Sequence, residues 1–552
     1  MRRRRFAALA TVAVVGALVG VVPRLVDGPA HPTGAESATA TPATTTVAAT
    51  AAPPTTAVTL TATGAAAPPV AATVAAPVAA AQDDTAAARL AADVAAVTAY
   101  GPREAGTTAE RAATDEIIRR LAGAVGNDQV RVEDVPLPNG RTSRNVWATV
   151  GTGPITVVLG AHLDSVAGSP GADDNASGVA VLLEVARRLR AAPPRPDVTV
   201  HIAFFGAEEG LRGYSGDAHH FGSRRFSARL ANAGTLPHWM ASVDMVGYGA
   251  RLLSVHLRGT GTDAADVLAA AGALAGAPAT RDERGAISDH EAFALAGVPS
   301  AFLWRPDNPD YHGPGDVEVV PRLLVEDAAV VDAFVYLATS PLHSPRGLVH
   351  QLYVDLLGRR PDPGGVAAWA AQLRAGASPG RVGAAFLTAP ESAAVVTPVA
   401  RLYRAAFGRD ADHGGLTYWS ATVRATGALT TAAGAFVTSA EFVARYGALD
   451  DAGFVRRLYA NVLGRSPDGG GLAYWTDELA SGRRDRAGVL VALSESSEHR
   501  ARTEGEIRVV VAFAGLLRRG VDAGGLAYWS ARPTGDLVGG VLASAEYRSR
   551  FP

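Results

Sequence analysis

The chain has 552 residues, of which 48% are hydrophobic, and this is enough for two or more domains with cores of their own. Its formal net charge of −2 gives no excess of positive charge for a nucleic-acid partner. Cysteine is absent, which excludes disulfides and thiolate ligands, so any metal ion must be held by histidine and carboxylate side chains.

Residues 1–28 have the pattern of a signal peptide or a signal anchor. Four arginines follow Met1, and an apolar run extends from Phe6 to Val22. A positively charged segment before an apolar one is typical of export signals. The apolar run is also about long enough to reach across a bilayer, so both interpretations remain open. We therefore expect a secreted or cell-surface associated protein.

Residues 29–82 consist almost entirely of alanine, threonine, proline and valine. No charged residue occurs between Ser37 and Gln82. Such a segment cannot build a core, and its prolines favour extended conformations. We predict a disordered linker.

Residues 83–342 alternate strand-like and helix-like patterns. Helix-like runs, such as Gly178 to Ala191 and Ala264 to Ala275, separate several of the apolar runs. The strand-like runs are NVWATV, ITVVLGA, VTVHIAFF, MASVDMV, LLSVHL and PSAFLW. This alternation predicts an α/β domain with a largely parallel central sheet flanked by helices.

Residues 345–552 contain four copies of one pattern, D-x-x-G-[LV]-x-x-W, spaced 50 to 56 residues apart. The tryptophans are Trp369, Trp419, Trp475 and Trp529. An aromatic residue precedes each aspartate by nine positions, and a glutamate follows late in each unit. This repetition predicts an all-α array of small modules, each with a buried tryptophan and each packed on its neighbours.

The array resembles a domain of unknown function that recurs in exported and surface-associated bacterial proteins. The resemblance rests on the phrase LYxxxLGRxPDxxGLxYW and implies no known activity. It suggests a cell-envelope or matrix partner for the repeats. The repeat aspartates could bind calcium, but an aspartate three residues before glycine is also ordinary helix-capping chemistry.

Polar residues with metal-binding chemistry follow four of the predicted strands. His162, Asp164 and Asp174 come after ITVVLGA, and Glu208 and Glu209 come after VTVHIAFF. Asp244 lies near the end of the next run, MASVDMV, and the pair Tyr311 and His312 follows PSAFLW. Because α/β sheets build their sites at the carboxyl ends of parallel strands, we expect these side chains to lie close together.

The residue types in these loops suit a metal-dependent reaction. Two adjacent carboxylates, Glu208 and Glu209, repel each other unless a cation lies between them or they have separate tasks. A division into one ligand and one general base is natural. Asp164 could accept the second ring N–H of His162 or orient the loop.

As a set, these motifs resemble the co-catalytic di-zinc aminopeptidase family, which is related to glutamate carboxypeptidase and glutaminyl cyclase. The match extends from about Arg103 to Asp316 through GAHLDS, GADDNASGVA, FGAEEGLRGYSG, VDMVG, SDHEAF and YHGPGD. The resemblance implies two Zn²⁺ ions and an exopeptidase that acts on peptides with a free N-terminus.

The resemblance also implies a role for each residue. His162 and Asp244 would hold one zinc ion, Glu209 and His312 the other, and Asp174 would bridge them. Glu208 would be the general base and Tyr311 a donor to the oxyanion, with a shared water as the nucleophile.

Some neighbouring residues are given simpler interpretations. Asp289 and His290 match the family phrase SDH, and we interpret them as residues that begin a helix and support the ligands. The pair His219 and His220 is most simply a solvated loop.

Two alternatives to an aminopeptidase remain open. The same ligand set also serves carboxypeptidases and glutaminyl cyclases. The chain could also be a surface interaction protein with an inactive peptidase-like domain, although an intact ligand set favours an enzyme.

Overall fold

The computed structural model describes residues 84–214, 218–285 and 287–551. The signal segment and linker predicted for residues 1–82 lie outside these described residues. The described chain forms an α/β domain followed by an all-α region, and this confirms the predicted fold class.

One eight-stranded sheet forms the centre of the α/β domain, in the order β1-β2-β4-β3-β5-β8-β6-β7. The strands are β1 (Val130–Pro136), β2 (Thr142–Gly151), β3 (Ile155–His162), β4 (Val198–Phe205), β5 (Trp239–Asp244), β6 (Leu253–Leu257), β7 (Thr280–Arg284) and β8 (Ser300–Trp304). Its four central strands, β4, β3, β5 and β8, are parallel to one another. Strand β2 pairs antiparallel with β4, and β6 pairs antiparallel with β8, so the sheet is parallel at its centre and mixed at its edges.

The sequence patterns did not reveal the two outermost strands. Strand β1 reads VRVEDVP and β7 reads TRDER, and most of their side chains are exposed. An edge strand needs no continuous apolar run, because it is not covered on both faces.

Helices cover both faces of the sheet. They are α1 (Asp84–Thr98), α2 (Thr108–Val125), α3 (Gly178–Ala191), α4 (Phe221–Asn232), α5 (Asp263–Ala275), α6 (His290–Leu295) and α7 (Pro321–Thr339). Strand β3 shows how the layers form: Val157 and Leu159 join the core beneath α3, whereas Val158 joins the core beneath α4 and α6. Successive side chains of a strand point to opposite faces, so an unbroken apolar strand requires a layer on each side.

The parallel register brings the ends of the central strands to one edge. His162 at the end of β3 pairs with Phe205 at the end of β4, and Asp244 at the end of β5 pairs with Trp304 at the end of β8. The loops that follow these strands therefore begin side by side.

The all-α region consists of short helices. They are α8 (Pro345–Leu352), α9 (Pro363–Arg374), α10 (Pro379–Leu387), α11 (Thr397–Phe407), α12 (His413–Thr426), α13 (Leu429–Thr438), α14 (Ala440–Tyr446), α15 (Asp451–Leu463), α16 (Gly469–Ala480), α17 (Arg486–Ser494), α18 (Ser497–Ala512), α19 (Ala523–Ser530), α20 (Thr534–Ala543) and α21 (Ala545–Arg548). Wide turns of the π type lie at Tyr353–Leu357, Ser392–Val396 and Phe513–Leu517. Among the described residues, no single helix has the length and apolarity needed to cross a bilayer, and one pair, Pro379–Leu387 with Ser392–Phe407, meets those criteria only across a 47° bend.

Each of the four repeats uses its aspartate to begin a helix. Asp362, Asp412, Asp468 and Asp522 each accept a hydrogen bond from the backbone N–H three residues later, at 2.6 to 2.8 Å. This satisfies one of the N–H groups left free in the first helical turn. The capping interpretation of these aspartates is therefore the one that the geometry bears out.

A second contact also recurs in every repeat. An arginine pairs with the late glutamate of its unit, and its guanidinium lies over the aromatic ring of that unit. The pairs are Arg359–Glu391, Arg409–Glu441, Arg465–Glu498 and Arg519–Glu546, and the rings are those of Tyr353, Tyr403, Tyr459 and Phe513. The pattern of aromatic and glutamate residues seen in the sequence thus marks one repeated contact.

The repeats depart from the prediction in two ways. Their tryptophans are half-buried against the core rather than fully buried. The first unit also packs on the fourth as well as on its neighbour: α10 lies along α20, and Gly380 approaches the backbone of Gly539. Small residues permit this close approach, which joins the two ends of the array.

The all-α region docks on the α/β domain at the edge opposite the ends of the central strands. His350 of α8 packs edge-on against His238 and Trp239 at the start of β5. The guanidinium of Arg360 donates to the hydroxyl oxygen of Thr156 at the start of β3, and Arg346 pairs with Asp263 of α5. The domain boundaries themselves stay a prediction, but the two regions share a buried interface.

We expect Arg550→Ala to lower the free energy of unfolding by about 3 kcal/mol, because it would leave a buried carboxylate short of its main partner. Asp355 is buried and accepts two hydrogen bonds of 2.9 Å from Arg550. This pair ties the first repeat to the last. Arg548, which is exposed on α21, provides the matched control Arg548→Ala, expected to change stability by less than about 0.5 kcal/mol. Thermal and denaturant unfolding measure both variants, and equal losses would contradict the structural role of the pair.

Candidate metal centre

The structure brings the predicted metal-binding residues together at the carboxyl edge of the sheet. His162 and Asp244 are the last residues of β3 and β5, and Glu209 follows β4. His312 lies in the loop after β8, and Asp174 lies in the turn Ala172–Ser177 that leads into α3.

These five side chains form two sets that share Asp174. The Nε2 atom of His162 lies 3.2 Å from Oδ1 of Asp174 and 3.3 Å from Oδ1 of Asp244. The Nε2 atom of His312 lies 3.2 Å from Oδ2 of Asp174 and 3.3 Å from Oε1 of Glu209. Each set therefore contains one imidazole nitrogen and two carboxylate oxygens, with a different oxygen of Asp174 in each.

The spacing of these atoms fits zinc. A tetrahedral site with ligand bonds of about 2.0 to 2.2 Å places its ligand atoms about 3.3 to 3.6 Å apart. The observed separations of 3.2 and 3.3 Å lie at, or 0.1 Å below, the lower end of that range. Histidine and carboxylate are also ligand types that zinc accepts.

The excess of negative charge around the two sets also favours the binding of cations. Burial raises the pKa of Glu209, and the negative charge of Asp174 raises it further, to about 8. Burial lowers the pKa of His312, but Asp174 and Glu209 outweigh this effect and raise the pKa to about 10. Both shifts arise because negative charge is in excess in a poorly solvated place, and a bound cation would relieve it.

Glu208 lies beside these sets and is engaged elsewhere. Its Oε1 atom is 2.8 Å from Nε2 of His220, while its carboxylate remains within 4.8 Å of the ligand atoms of His162 and Glu209. Glu208 is buried. A carboxylate at the border of a metal site, without a place in either ligand set, has the position of a general base.

Asp164 orients the loop that carries the two glutamates. Its carboxylate accepts the backbone N–H groups of Glu208 and Glu209, each at 3.1 Å. The distance from its Oδ1 atom to Nδ1 of His162 is 3.7 Å, which is longer than a hydrogen bond. Of the two functions considered for Asp164, the structure therefore shows the orientation of the loop.

Three further residues hold the Asp174 turn, and the sequence patterns did not reveal them. Asp316 accepts the backbone N–H groups of Asp173 and Asp174 at 2.8 and 3.1 Å. Asp173 accepts the N–H of Gly247 at 2.6 Å and the side-chain amide of Asn308 at 3.0 Å. The buried Arg103 donates to the carbonyl groups of Leu163, Pro170 and Gly171. Their partners are distant in sequence, so no local pattern marks them.

The interpretation of His219 and His220 as a solvated loop is wrong for His220. Its side chain is only 2% exposed and contacts both Glu208 and Glu291. Asp289 does stand directly before α6 and is buried. Burial, with the negative charge of Glu208, raises the pKa of Asp289 to about 7.

Left-handed backbone conformations concentrate at the site. The described chain has five non-glycine residues with positive φ, and four of them are Ala207, His220, Met245 and His312. Ala207 precedes Glu208, Met245 follows Asp244, and His312 belongs to a ligand set. Such conformations cost on the order of 1 to 3 kcal/mol each and persist only where the surrounding structure imposes them.

A cleft of about 460 Å³ opens above the two sets. Its floor contains the ligand side chains, and its wall is formed by Met245, Ile287, Phe302 and Trp304. Tyr311 stands at the rim, half-exposed, with its ring stacked on that of His312 at 3.8 Å between centroids.

Residues 145–320 match the model of peptidase family M28. This part of the chain is therefore similar to peptidase family M28. Residues 343–396 and 433–503 match a domain of unknown function, DUF4214. Both resemblances inferred from the sequence motifs are thereby confirmed.

Several curated relatives of the M28 region are named as aminopeptidases. Aminopeptidase YwaD of Bacillus subtilis is 32% identical over 212 residues, which are 36% of this chain and 44% of the relative. A probable leucine aminopeptidase of Arthroderma otae is 31% identical, covering 33% of this chain and 53% of the relative. The probable lipoprotein aminopeptidase LpqL of Mycobacterium tuberculosis is 35% identical, covering 29% and 34%. The chain thus spans about half the length, or less, of these relatives.

Solved structures include similar domains. An aminopeptidase from Aneurinibacillus sp. strain AM-1 is 31% identical with a TM-score of 0.32, covering 36% of this chain and 48% of that one. The zinc aminopeptidase BSAP from Bacillus subtilis is 20% identical with a TM-score of 0.40, covering 45% and 94%.

We expect Asp174→Asn to lose at least half of the bound metal, because an amide cannot offer two anionic oxygens to two cations. The adjacent Asp173→Asn is the matched control. It should retain its metal but melt at a lower temperature, because Asp173 accepts hydrogen bonds from Gly247 and Asn308. Elemental analysis of both purified variants, after dialysis against zinc, measures the difference. Equal metal loss in the two variants would show that Asp174 is not the shared ligand.

Proposed function

We propose that this protein is an exported, zinc-dependent aminopeptidase that removes residues one at a time from the N-terminus of peptides. One observation supports this most strongly: the two oxygens of Asp174 join two ligand sets, and Glu208 lies beside both. Two zinc ions bound by these sets would supply an activated water and polarise the scissile carbonyl group.

The residues around the ligand sets then have distinct tasks. Glu208 accepts a proton from the nucleophile and returns it to the leaving amine, as a buried carboxylate at this border can. Tyr311 donates a hydrogen bond to the developing oxyanion from the rim of the cleft. Burial raises the pKa of Tyr311 above its usual value, and the charges of Asp174 and Glu209 raise it further, so the phenol keeps the proton that it donates.

The cleft also suits an N-terminal residue with an apolar side chain. A protonated amino group is attracted to the carboxylates on the floor. Met245, Ile287, Phe302 and Trp304 offer an apolar wall to the side chain. Several of the relatives are named leucine aminopeptidases, which is consistent with this preference.

A carboxypeptidase needs cationic side chains for the C-terminal carboxylate of its substrate, because a desolvated carboxylate must be paired. Lysine is absent from the sequence. None of the described residues that line the cleft is an arginine. Arg212 lines a neighbouring cavity of about 380 Å³ instead. These features favour the aminopeptidase over the carboxypeptidase.

We expect hydrolysis of a peptide with a free N-terminus, at least tenfold slower cleavage of its N-acetylated form, and an unchanged rate for its C-terminally amidated form. Acetylation removes the positive charge that the carboxylates attract, whereas amidation alters an end that the cleft does not hold. Mass spectrometry of the three digests measures these rates. Chelator should abolish activity, and zinc should restore it. Loss of residues from the C-terminus of the acetylated peptide would instead indicate a carboxypeptidase.

We also propose that the repeats attach the protein to the cell envelope. Three repeats present an exposed tyrosine directly before their tryptophan, and Tyr418, Tyr474 and Tyr528 are 64%, 52% and 51% exposed. Each ring packs edge-on against the tryptophan that follows, which holds it in place. Exposed aromatic rings at equivalent positions of a repeat array suit an extended partner.

We expect the triple variant with serine at these three tyrosine positions to bind isolated envelope fragments at least fivefold less than the native protein. Its peptidase activity should be unchanged, because these tyrosines lie outside the M28 region. Serine at Thr417, Ala473 and Ala527, one position earlier, is the matched control. Cosedimentation with the fragments measures retention, and equal retention of all three proteins would contradict attachment through these rings.

A further inference from the structure

His220 makes two separate contacts with Glu208. Its backbone N–H donates to the carbonyl oxygen of Glu208 at 2.8 Å. Its ring atom Nε2 lies 2.8 Å from the Oε1 atom of the same residue. The main chain and the carboxylate of Glu208 are therefore both held by one residue.

The other side of the His220 ring is also fixed. Its Nδ1 atom lies 2.5 Å from Oε2 of Glu291, in the first turn of α6. Glu291 in turn lies 3.5 Å from the guanidinium of Arg224 on α4. The side chains of Glu208, His220 and Glu291 are all buried.

The backbone of His220 is held in a costly conformation. Its φ is 57°, directly before the first residue of α4. The next residue, Phe221, donates its N–H to the carbonyl of Ala207, which is itself left-handed and precedes Glu208. The start of α4 is thus joined to the glutamate loop through two backbone hydrogen bonds and one side-chain contact.

These residues do not form a third metal site. His219, His220 and Glu291 lie within reach of one another. However, both ring nitrogens of His220 already face carboxylates, and the positive guanidinium of Arg224 lies beside Glu291. A cation there would be repelled by Arg224 and would have to displace Glu208.

We infer that His220, held by Glu291, is a positioning residue that orients the carboxylate of Glu208 for proton transfer. This inference rests on the proposed aminopeptidase function. With Oε1 fixed by His220, Oε2 is the oxygen left to meet the nucleophile. Proton transfer requires a correctly placed acceptor, so a glutamate free to rotate would slow the reaction without weakening substrate binding.

The test compares His220→Ala with His220→Gln, whose amide can still donate to Glu208. We expect His220→Ala to lower kcat about 30-fold or more, with KM within about threefold of the native value and the same zinc content. The decrease in log kcat, relative to the native protein, should be at least a third smaller for His220→Gln than for His220→Ala. His201→Ala is the matched control, because His201 is a half-buried histidine bonded to Thr149 within the sheet. It should lower the melting temperature but leave kcat unchanged.

A folded, zinc-loaded His220→Ala variant with native kcat would overturn the inference, and so would a rise in KM at unchanged kcat. If His220→Ala does not fold, Glu291→Gln decides: a kcat at least fivefold lower at native KM supports the inference, and a native kcat overturns it. A native protein that binds zinc but cleaves no peptide would overturn the proposed function, and this inference with it. An active native protein with an equally active His220→Ala variant would overturn the role of His220 alone.

Discussion

The shared carboxylate of Asp174 is the constraint on which the rest of the site depends. Each of its oxygens faces a different imidazole, and the two imidazoles come from separate parts of the sheet edge: His162 ends β3, and His312 lies in the loop after β8. The Asp174 turn must therefore be held against the sheet with little freedom. Asp316 holds its backbone N–H groups, and Arg103 holds the carbonyl groups of the approaching chain. The buried charged residues Asp316 and Arg103 thereby fix the position of the Asp174 side chain.

The loop that carries Glu208 and Glu209 is also held in a fixed position, in this case by Asp164. Asp164 fixes its backbone, so Glu209 points into a ligand set while Glu208 points towards His220. Ala207, directly before the two glutamates, has a left-handed backbone conformation. Two identical side chains thereby acquire different surroundings, as the two different roles proposed for them require.

The all-α region is stabilised by contacts that recur from repeat to repeat. Its repeats share one buried apolar core, and each adds one recurring contact in which an arginine joins a glutamate to an aromatic ring, as Arg359 does with Glu391 and Tyr353. The array gains further support where its first and last units meet. It docks through His350 at the amino edge of the sheet, so the cleft at the carboxyl edge remains open to substrate.

The sequence by itself determined the features that depend on local pattern. The apolar run of β3 predicted a buried strand, and the polar residues that follow the central strands were predicted to converge because parallel strands end at one edge. Aspartates three residues before glycine indicated helix capping as one of two interpretations, and each of them caps a helix. Each of these conclusions needs only a short window of chain and one general rule of geometry.

Only the tertiary structure decided the contacts between residues distant in sequence. Nothing near His220 shows that it meets Glu291, 71 positions away, and nothing near Asp355 shows that it meets Arg550, 195 positions away. The polar edge strands β1 and β7 were missed for a related reason, since pairing with a neighbour, and not their own composition, makes them strands. The physical cause is common to all three cases: a buried charge or an unpaired backbone is satisfied by whatever the fold brings near it, and that proximity is a property of the whole chain.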